Sequence, residues 1–527
     1  MKRRHKIVKR IGGGALPLVF TTVVMLVLLV FALSGVRGWF GAAESRDPLV
    51  VYCAAGVTPA VEQVARHYEA EFGIPVEVRS GSSGALESQI RASKNLRSGD
   101  LYIPAAEEPF VARNRVGTDA SRESGTEPFL AEVIPLARFR LALAVTPDNP
   151  KNIGSLDDLL KPGVSFLVAN DQAAVGKKTQ EVLAAAGRWK ALAAAATRVL
   201  TVTEATSMIE IGTKADAGFV WDTNARQRGL EIVPVAELTA APATISAGVI
   251  TTSTNPTGAL RFARYLAAPE KGQQVFAEHH YETVNGDSWA KTPEIVLFSG
   301  GVNREAVKDT IVEFERREGC TVVPTFDGCG ALVATMRSGT NPDAYFACDV
   351  SFLTQVQDRF DDGVELTNTD MVMLVHKGNP KKIEKLEDLT REGLAVGVAD
   401  EKLSALGRLT ADLLKERGIY DGVVKNRKAS SPTAHFLVMQ LVESDKLDAA
   451  IVYRANCYHI LEQQQADIVP IDHERANAIQ PFAIHRQAKY PQLTQRLQDA
   501  LITAKSRERF QKLGFRWQLD KKKQADQ

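Results

Sequence analysis

Leu49-Val50-Val51-Tyr52-Cys53-Ala54-Ala55-Gly56-Val57 runs directly into Thr58-Pro59. The first six residues form a short apolar run, the pattern of a strand buried on both faces. The small pair Ala55-Gly56 then turns the chain. Thr58 stands where a helix cap is needed, and Pro59 suits a first helical position. Val61, Val64, Ala65, Tyr68 and Phe72 follow at helical spacing, and Gly73 stops the run. Downstream, 76–79 reads as a strand, 85–94 as a helix and 101–103 as a strand. This alternation predicts an α/β fold with a parallel sheet. Ligands in such sheets bind outside the carboxyl ends of the strands. The small-residue turns Ala55-Gly56 and Ser82-Ser83-Gly84 occupy two such ends.

The same pattern returns once. Leu49–Val57 is matched by Glu294-Ile295-Val296-Leu297-Phe298-Ser299-Gly300-Gly301-Val302, and Ser82-Ser83-Gly84-Ala85-Leu86 by Gly328-Cys329-Gly330-Ala331-Leu332. Asp100 recurs at Asp343, Asn149-Pro150 at Asn379-Pro380, and Leu156-Asp157-Asp158-Leu159 at Leu386-Glu387-Asp388-Leu389. Ala215–Trp221 recurs at Leu447–Tyr453, and Ile232-Val233-Pro234 at Ile468-Val469-Pro470. Matches in one order at nearly one spacing indicate a tandem duplication. The two units span 48–288 and 293–518, joined by turn-forming residues around Asn285-Gly286-Asp287-Ser288. Residues 519–527 form a charged tail, expected to be disordered.

Ahead of the first unit lie Lys2, Arg3, Arg4, Lys6, Lys9 and Arg10, then 22 uncharged residues from Ala15 to Val36. About 20 apolar residues span a bilayer. Residues 1–47 therefore read as a cytoplasmic basic segment, a transmembrane helix and a short linker, with the rest of the chain exported. A cleaved signal ending near Gly41-Ala42-Ala43 is the alternative. Of the 527 residues, 45% are apolar and 24% charged, as in ordinary globular proteins, and the net charge of +1 provides no global field to hold nucleic acid. The five cysteines, Cys53, Cys320, Cys329, Cys348 and Cys457, include no CxxC pair and form no disulfide framework.

Together, the small turn after the first strand, Ser82-Ser83-Gly84, the Asn-Pro segment and the Asp-Ala-Gly-hydrophobic-Val-aromatic strand resemble the molybdate/tungstate-binding periplasmic solute receptors. That resemblance implies a two-lobed fold in each unit, closing on a tetrahedral oxyanion that is handed to an ABC permease. It implies ligand contacts from Ala55, Gly56, Ser82, Ser83, Val175, Gly176, Thr203 and Trp221 in unit 1. In unit 2 it implies Gly300, Gly301, Cys329 and Tyr453. Gly56 and Trp221 stand where the family often has Ser and Tyr, so each removes a hydroxyl. Unit 2 departs further. Asp327 brings a negative charge and Cys329 replaces a hydroxyl, which both disfavour an anion. Arg454 could offset Asp327, although alternation along the strand points it away from Tyr453.

The oxyanion reading has physical support, because helix N-termini and small turn residues present backbone N–H groups to anions. A receptor-derived sensor or interaction protein is the alternative. A soft-metal or redox role for Cys329, Cys348, Cys457 and His435 near strand ends is another, against packing as small hydrophobes. Gly176-Lys177-Lys178-Thr179 lacks the first glycine and the Lys-Ser/Thr order of a P-loop, and no HExxH or GxSxG occurs. No catalytic residue, metal or cofactor is expected.

Overall fold

The computed structural model describes residues 47–93, 99–238, 242–444 and 446–519. The basic segment, the apolar run 15–36 and the tail beyond residue 519 lie outside them. Among the described residues no helix is long and apolar enough to cross a membrane.

Unit 1 contains β1 (Leu49–Ala54), β2 (Val76–Gly81), β3 (Leu101–Ile103), β4 (Leu130–Phe139), β5 (Leu141–Val145), β6 (Phe166–Ala169), β7 (Thr197–Val199), β8 (Ala217–Trp221), β9 (Glu231–Val233), β10 (Ala243–Ile250) and β11 (Glu282–Thr283). They form two sheets, ordered β11-β4-β10-β3-β1-β2 and β7-β6-β8-β5-β9, so the unit has two lobes. The chain crosses between lobes at Arg140. There Arg140 N donates to Asp222 Oδ1 (2.8 Å) and Asp222 N donates to Arg140 O (2.9 Å).

Unit 2 repeats this with β12 (Glu294–Gly300), β13 (Thr321–Asp327), β14 (Ala344–Phe346), β15 (Val364–His376), β16 (Val396–Ala399), β17 (Arg427–Ser431), β18 (Ala449–Tyr453), β19 (Ala466–Pro470), β20 (Asn477–Ile484) and β21 (Arg516–Trp517). Its crossing is unbroken. Residues Val364–Asp370 of β15 pair with β20 in one lobe, and Met371–Val375 pair with β18 in the other.

The sheets are mixed, which corrects the expected all-parallel arrangement. β1, β2 and β3 pair in parallel, but β10 runs antiparallel to β3 and to β4. The physical reason is the lobe exchange: the strands that leave for the second lobe and return from it lie side by side in opposite directions. A second difference concerns the first helix, Thr58–Phe72, whose cap position is Val57, with no side-chain cap. Val57 N closes a turn onto Ala54 O (2.8 Å), and the Thr58 hydroxyl bonds Ala54 O (3.1 Å) instead. Gly73 ends the helix in the left-handed conformation, φ 68°.

The recurring sequence segments prove to be recurring hydrogen-bond devices. Asp100 and Asp343 each accept a first-strand N–H, from Val50 (2.9 Å) and Val296 (2.8 Å). Asn149 clamps Ile153 through N–H and C=O, and Asn379 clamps Ile383 in the same way. Both asparagines have positive φ, 40° and 48°. Asp216 accepts from Ser165 N as Asp448 does from Ala395 N. Each motif thus holds a loop or strand end in place.

Each unit has its own apolar core, one drawn from Leu49 to Tyr281 and the other from Ile295 to Trp517. The units meet through buried ions. Glu318, 1% exposed, receives Arg264 of unit 1 (Nη1–Oε2 2.9 Å) and Arg496 of unit 2 (Nε–Oε1 2.7 Å). Arg264 Nη1 also donates to Glu318 O (2.7 Å), and Arg317 forms a two-pronged pair with Glu132.

Candidate functional site

In unit 1 the carboxyl ends of β1, β2 and β3 face those of β6, β7 and β8 across the cleft. A cavity of about 20 Å³ lies between them, lined by Ala54, Ala55, Gly56, Gly81, Ser82, Ser83, Ala105, Ala173, Ala174, Val175, Thr201, Val202 and Trp221. No lining side chain is charged. Four helices begin at the cavity: Thr58–Phe72, Ser83–Ala92, Ala174–Ala185 and Val202–Ile211. First-turn N–H groups have no partner within their own helix, and each N-terminus carries about half a positive charge. The cavity is therefore electropositive without a single Lys or Arg.

Local geometry keeps these donors available. Ser82 sits at a helix cap position in extended conformation (φ −71°, ψ 146°), yet its side chain makes no cap bond. The Ser83 hydroxyl accepts from Ala105 N (3.2 Å), leaving its O–H free to donate. The Gly56 carbonyl is fixed by two donors, Asn224 Nδ2 (2.9 Å) and the Tyr281 hydroxyl (2.6 Å). Trp221 is 1% exposed, and its indole N–H has no hydrogen-bond partner among the described residues. A buried donor without a partner costs about 1–3 kcal/mol. Trp221 thus replaces the expected hydroxyl with a donor-only group, which an anion satisfies and a cation cannot. The lobes are already latched beside the cavity, where Gly84 N donates to Gln172 O (2.8 Å).

Two expected contacts are not at the cavity. Gly176 is packed against the lobe backbone; a Cβ there would meet Asn170 O at 2.0 Å. Gly407 repeats this against Asp400 O at 2.1 Å, so both glycines allow close helix–loop packing. Thr203 is exposed, and its neighbours Thr201 and Val202 line the cavity instead. Ala55, Gly56, Ser82, Ser83, Val175 and Trp221 are brought together there.

Unit 2 builds a different cavity from the same scaffold. It measures about 550 Å³, and its lining includes Gly301, Arg304, Phe326, Asp327, Cys348, His435, Tyr453 and His459. Smaller Tyr453 replaces Trp221. The latch survives, with Gly330 N on Leu403 O (3.0 Å). The anchor does not: the ring pair Phe276–Tyr281 corresponds to Phe510–Phe515, and phenylalanine has no hydroxyl to fix the Gly301 turn. Gly300 and Cys329 lie beneath the cavity wall: a Cβ on Gly300 would meet Cys348 Sγ at 2.2 Å. Arg454 is not on the lining and packs by Gly514, while Arg304, stacked on Phe326, faces the cavity with Asp327. Sequence reading missed Arg304 and His459 because neither lies in a repeated segment.

A model of the family described as bacterial extracellular solute-binding protein matches residues 49–282 and again 295–516. The chain belongs to this family. The solute-binding match falls twice in succession, so the chain is a tandem of two such units. A Haemophilus influenzae relative named "Putative binding protein" is 22% identical over 226 residues, 42% of this chain and 90% of the relative. Among solved structures, the Azotobacter vinelandii periplasmic molybdate-binding protein is 21% identical, covering 45% of this chain and 100% of that one, with a TM-score of 0.37. The sulfate-binding protein of Mycobacterium tuberculosis is 16% identical, with 44% and 90% coverage and a TM-score of 0.39. The family is one of binding proteins and places the solute-binding units outside the cytoplasm.

Proposed function

We propose that the chain is a membrane-anchored extracytoplasmic receptor in which unit 1 captures a tetrahedral oxyanion of the molybdate or tungstate kind and delivers it to an ABC permease. One observation carries the reading: four helix N-termini, Ser82, Ser83 and the buried Trp221, whose indole N–H is unpartnered among the described residues, meet at a small cavity without a charged lining side chain. A water-sized site needs roughly 10–15 Å³, so a cavity of about 20 Å³ favours a small ion over a sugar or peptide. The site contains hydroxyl and N–H donors and lacks a nucleophile–base pair, which favours binding over catalysis. Ser82, Ser83 and Trp221 would donate from side chains, with Gly56, Ala174 and Val175 presenting backbone N–H groups, while Ala55 N is already held by Gly81 O (2.8 Å).

Each hydrogen bond to a charged ligand is worth about 1.5–3 kcal/mol, roughly ten- to a hundredfold in affinity. Ser82→Ala/Ser83→Ala is expected to weaken molybdate binding at least that much. Because Ser83→Ala also orphans the Ala105 N–H, Ser82→Ala alone is the control that separates binding from folding. Trp221→Phe should cost a similar factor. Unchanged affinity in both variants, read by calorimetry, would remove these residues from the site.

For unit 2 the larger cavity favours a second reading, a ligand of organic size or a sensory role. Asp327 faces that cavity, and its charge repels an anion in a poorly screened site. Asp327→Asn is expected to strengthen any weak oxyanion binding by unit 2. A weaker or unchanged signal from that variant would show that Asp327 does not set the preference.

A further inference from the structure

In unit 2, the place held in unit 1 by Ser83 and Ala105 is held by two cysteines. Ala105 N donates to Ser83 Oγ, and Cys348 N donates to Cys329 Sγ at 3.0 Å, so the two arrangements superpose in kind. A Cβ placed on Gly300 would lie 2.2 Å from Cys348 Sγ and 3.1 Å from Cys329 Sγ, so the sulfurs are at most about 5.3 Å apart. Both thiols are buried, but Cys348 forms part of the wall of the large cavity. Gly300 brings no side chain into the space beside the pair, which a Cβ there would fill.

We propose that Cys329 and Cys348 are a redox-active pair that closes to a disulfide by exchange with an external disulfide entering through the unit 2 cavity. Cys348 is the sulfur such a reagent meets. As thiolate it attacks one sulfur of the reagent and expels the other as a thiolate, forming a mixed disulfide. Cys329 then attacks Cys348 Sγ and expels the second reagent thiolate. Two protein thiols and one reagent disulfide give one protein disulfide and two reagent thiols, which take up the two protons. An extracytoplasmic compartment supplies oxidants of this class.

The chemistry of the five cysteines separates this pair from the rest. Burial pushes Cys53, Cys320 and Cys457 up to about 12, where thiols are inert. Burial opposes the Cys329 thiolate too, but the adjacent Cys348 thiol and the Cys348 N–H, which donates to Cys329 Sγ, help hold Cys329 below the ordinary thiol value. Cys329 is also the first residue of the helix Cys329–Arg337, where the N-terminus favours a thiolate. Its hydrogen bond to Cys329, together with burial, keeps Cys348 protonated to higher pH. The first attack is therefore the slow step, and oxidation should accelerate as pH rises.

The test is a redox titration of the full-length chain in mixtures of reduced and oxidised glutathione, quenched by alkylation under denaturing conditions and mapped by mass spectrometry. At oxidising ratios two of the five thiols should escape alkylation, and peptides carrying Cys329 and Cys348 should be linked within one chain and two hydrogens lighter. Cys329→Ala should leave glutathione trapped on Cys348. Alkylation of all five thiols at the most oxidising ratio would overturn the proposal, as would a link through Cys53, Cys320 or Cys457, or one that joins only separate chains. The wild-type map decides even where the variant fails to fold.

Discussion

Ser82→Asp is expected to abolish oxyanion binding while raising the melting temperature of the receptor. The substitution puts a carboxylate at a cap position whose backbone is already extended, which aspartate adopts readily. That carboxylate lies among four helix N-termini and no charged side chains. Each nearby N-terminus stabilises an anion by about 0.3–1 kcal/mol, and by up to about 2 in partly buried settings. The variant thus carries its own anion. A second anion about 4 Å away is repelled by about 4 kcal/mol at an effective dielectric of 20, roughly a thousandfold in affinity. Loss of binding together with a higher melting temperature separates this effect from misfolding. Lower stability in the variant would mean that the cleft is not electropositive.

Glu318→Gln should cost about 3–5 kcal/mol of stability, the usual result of breaking a buried ion pair from one side. Glu318 is 1% exposed, and its carboxylate accepts from both Arg264 and Arg496. The amide leaves two guanidinium groups facing each other where unit 1 meets unit 2. The wild-type pH profile carries the same interaction. Burial alone would raise the Glu318 carboxyl, but Arg496 and Arg264 hold it below the ordinary carboxylate value. Its stabilisation is therefore complete above the unfolded value of about 4.3 and is lost as pH falls through the lower folded value. Urea denaturation of both proteins at neutral and acid pH measures the effect. A wild-type curve that does not weaken below pH 4.3, or a change under about 1 kcal/mol in the variant, would contradict it.

The duplication and the strand-end site were legible in sequence because they rest on short-range patterns. Apolar runs, small turns and recurring Asp and Asn residues repeat at nearly constant spacing, and each proves to hold one local device. Ser82 and Ser83, expected at the cleft because their turn directly follows a strand, line the unit 1 cavity. The cavity's other features depend on long-range closure, which local pattern does not encode. The Gly84–Gln172 latch, the Tyr281 anchor on Gly56 and the Arg264–Glu318–Arg496 cluster join residues far apart in the chain. Thr203 and Gly176 lie off the cavity lining for a related reason. Both were named through the family resemblance, and which residues of a helix's first turn line the cleft depends on the opposite lobe. The repeat alignment already set Cys329 against Ser83, but that Cys329 touches Cys348 depends on how the second turn packs on the end of the third strand, which only the fold shows.

Isothermal calorimetry of residues 48–527 against molybdate, tungstate, sulfate and phosphate tests the central claim most directly. The account predicts one tight oxyanion site per chain, lost in Ser82→Asp and retained in a variant altered in the unit 2 cavity, such as Arg304→Ala. Two equivalent sites, or a single site that survives Ser82→Asp and disappears with Arg304→Ala, would contradict it.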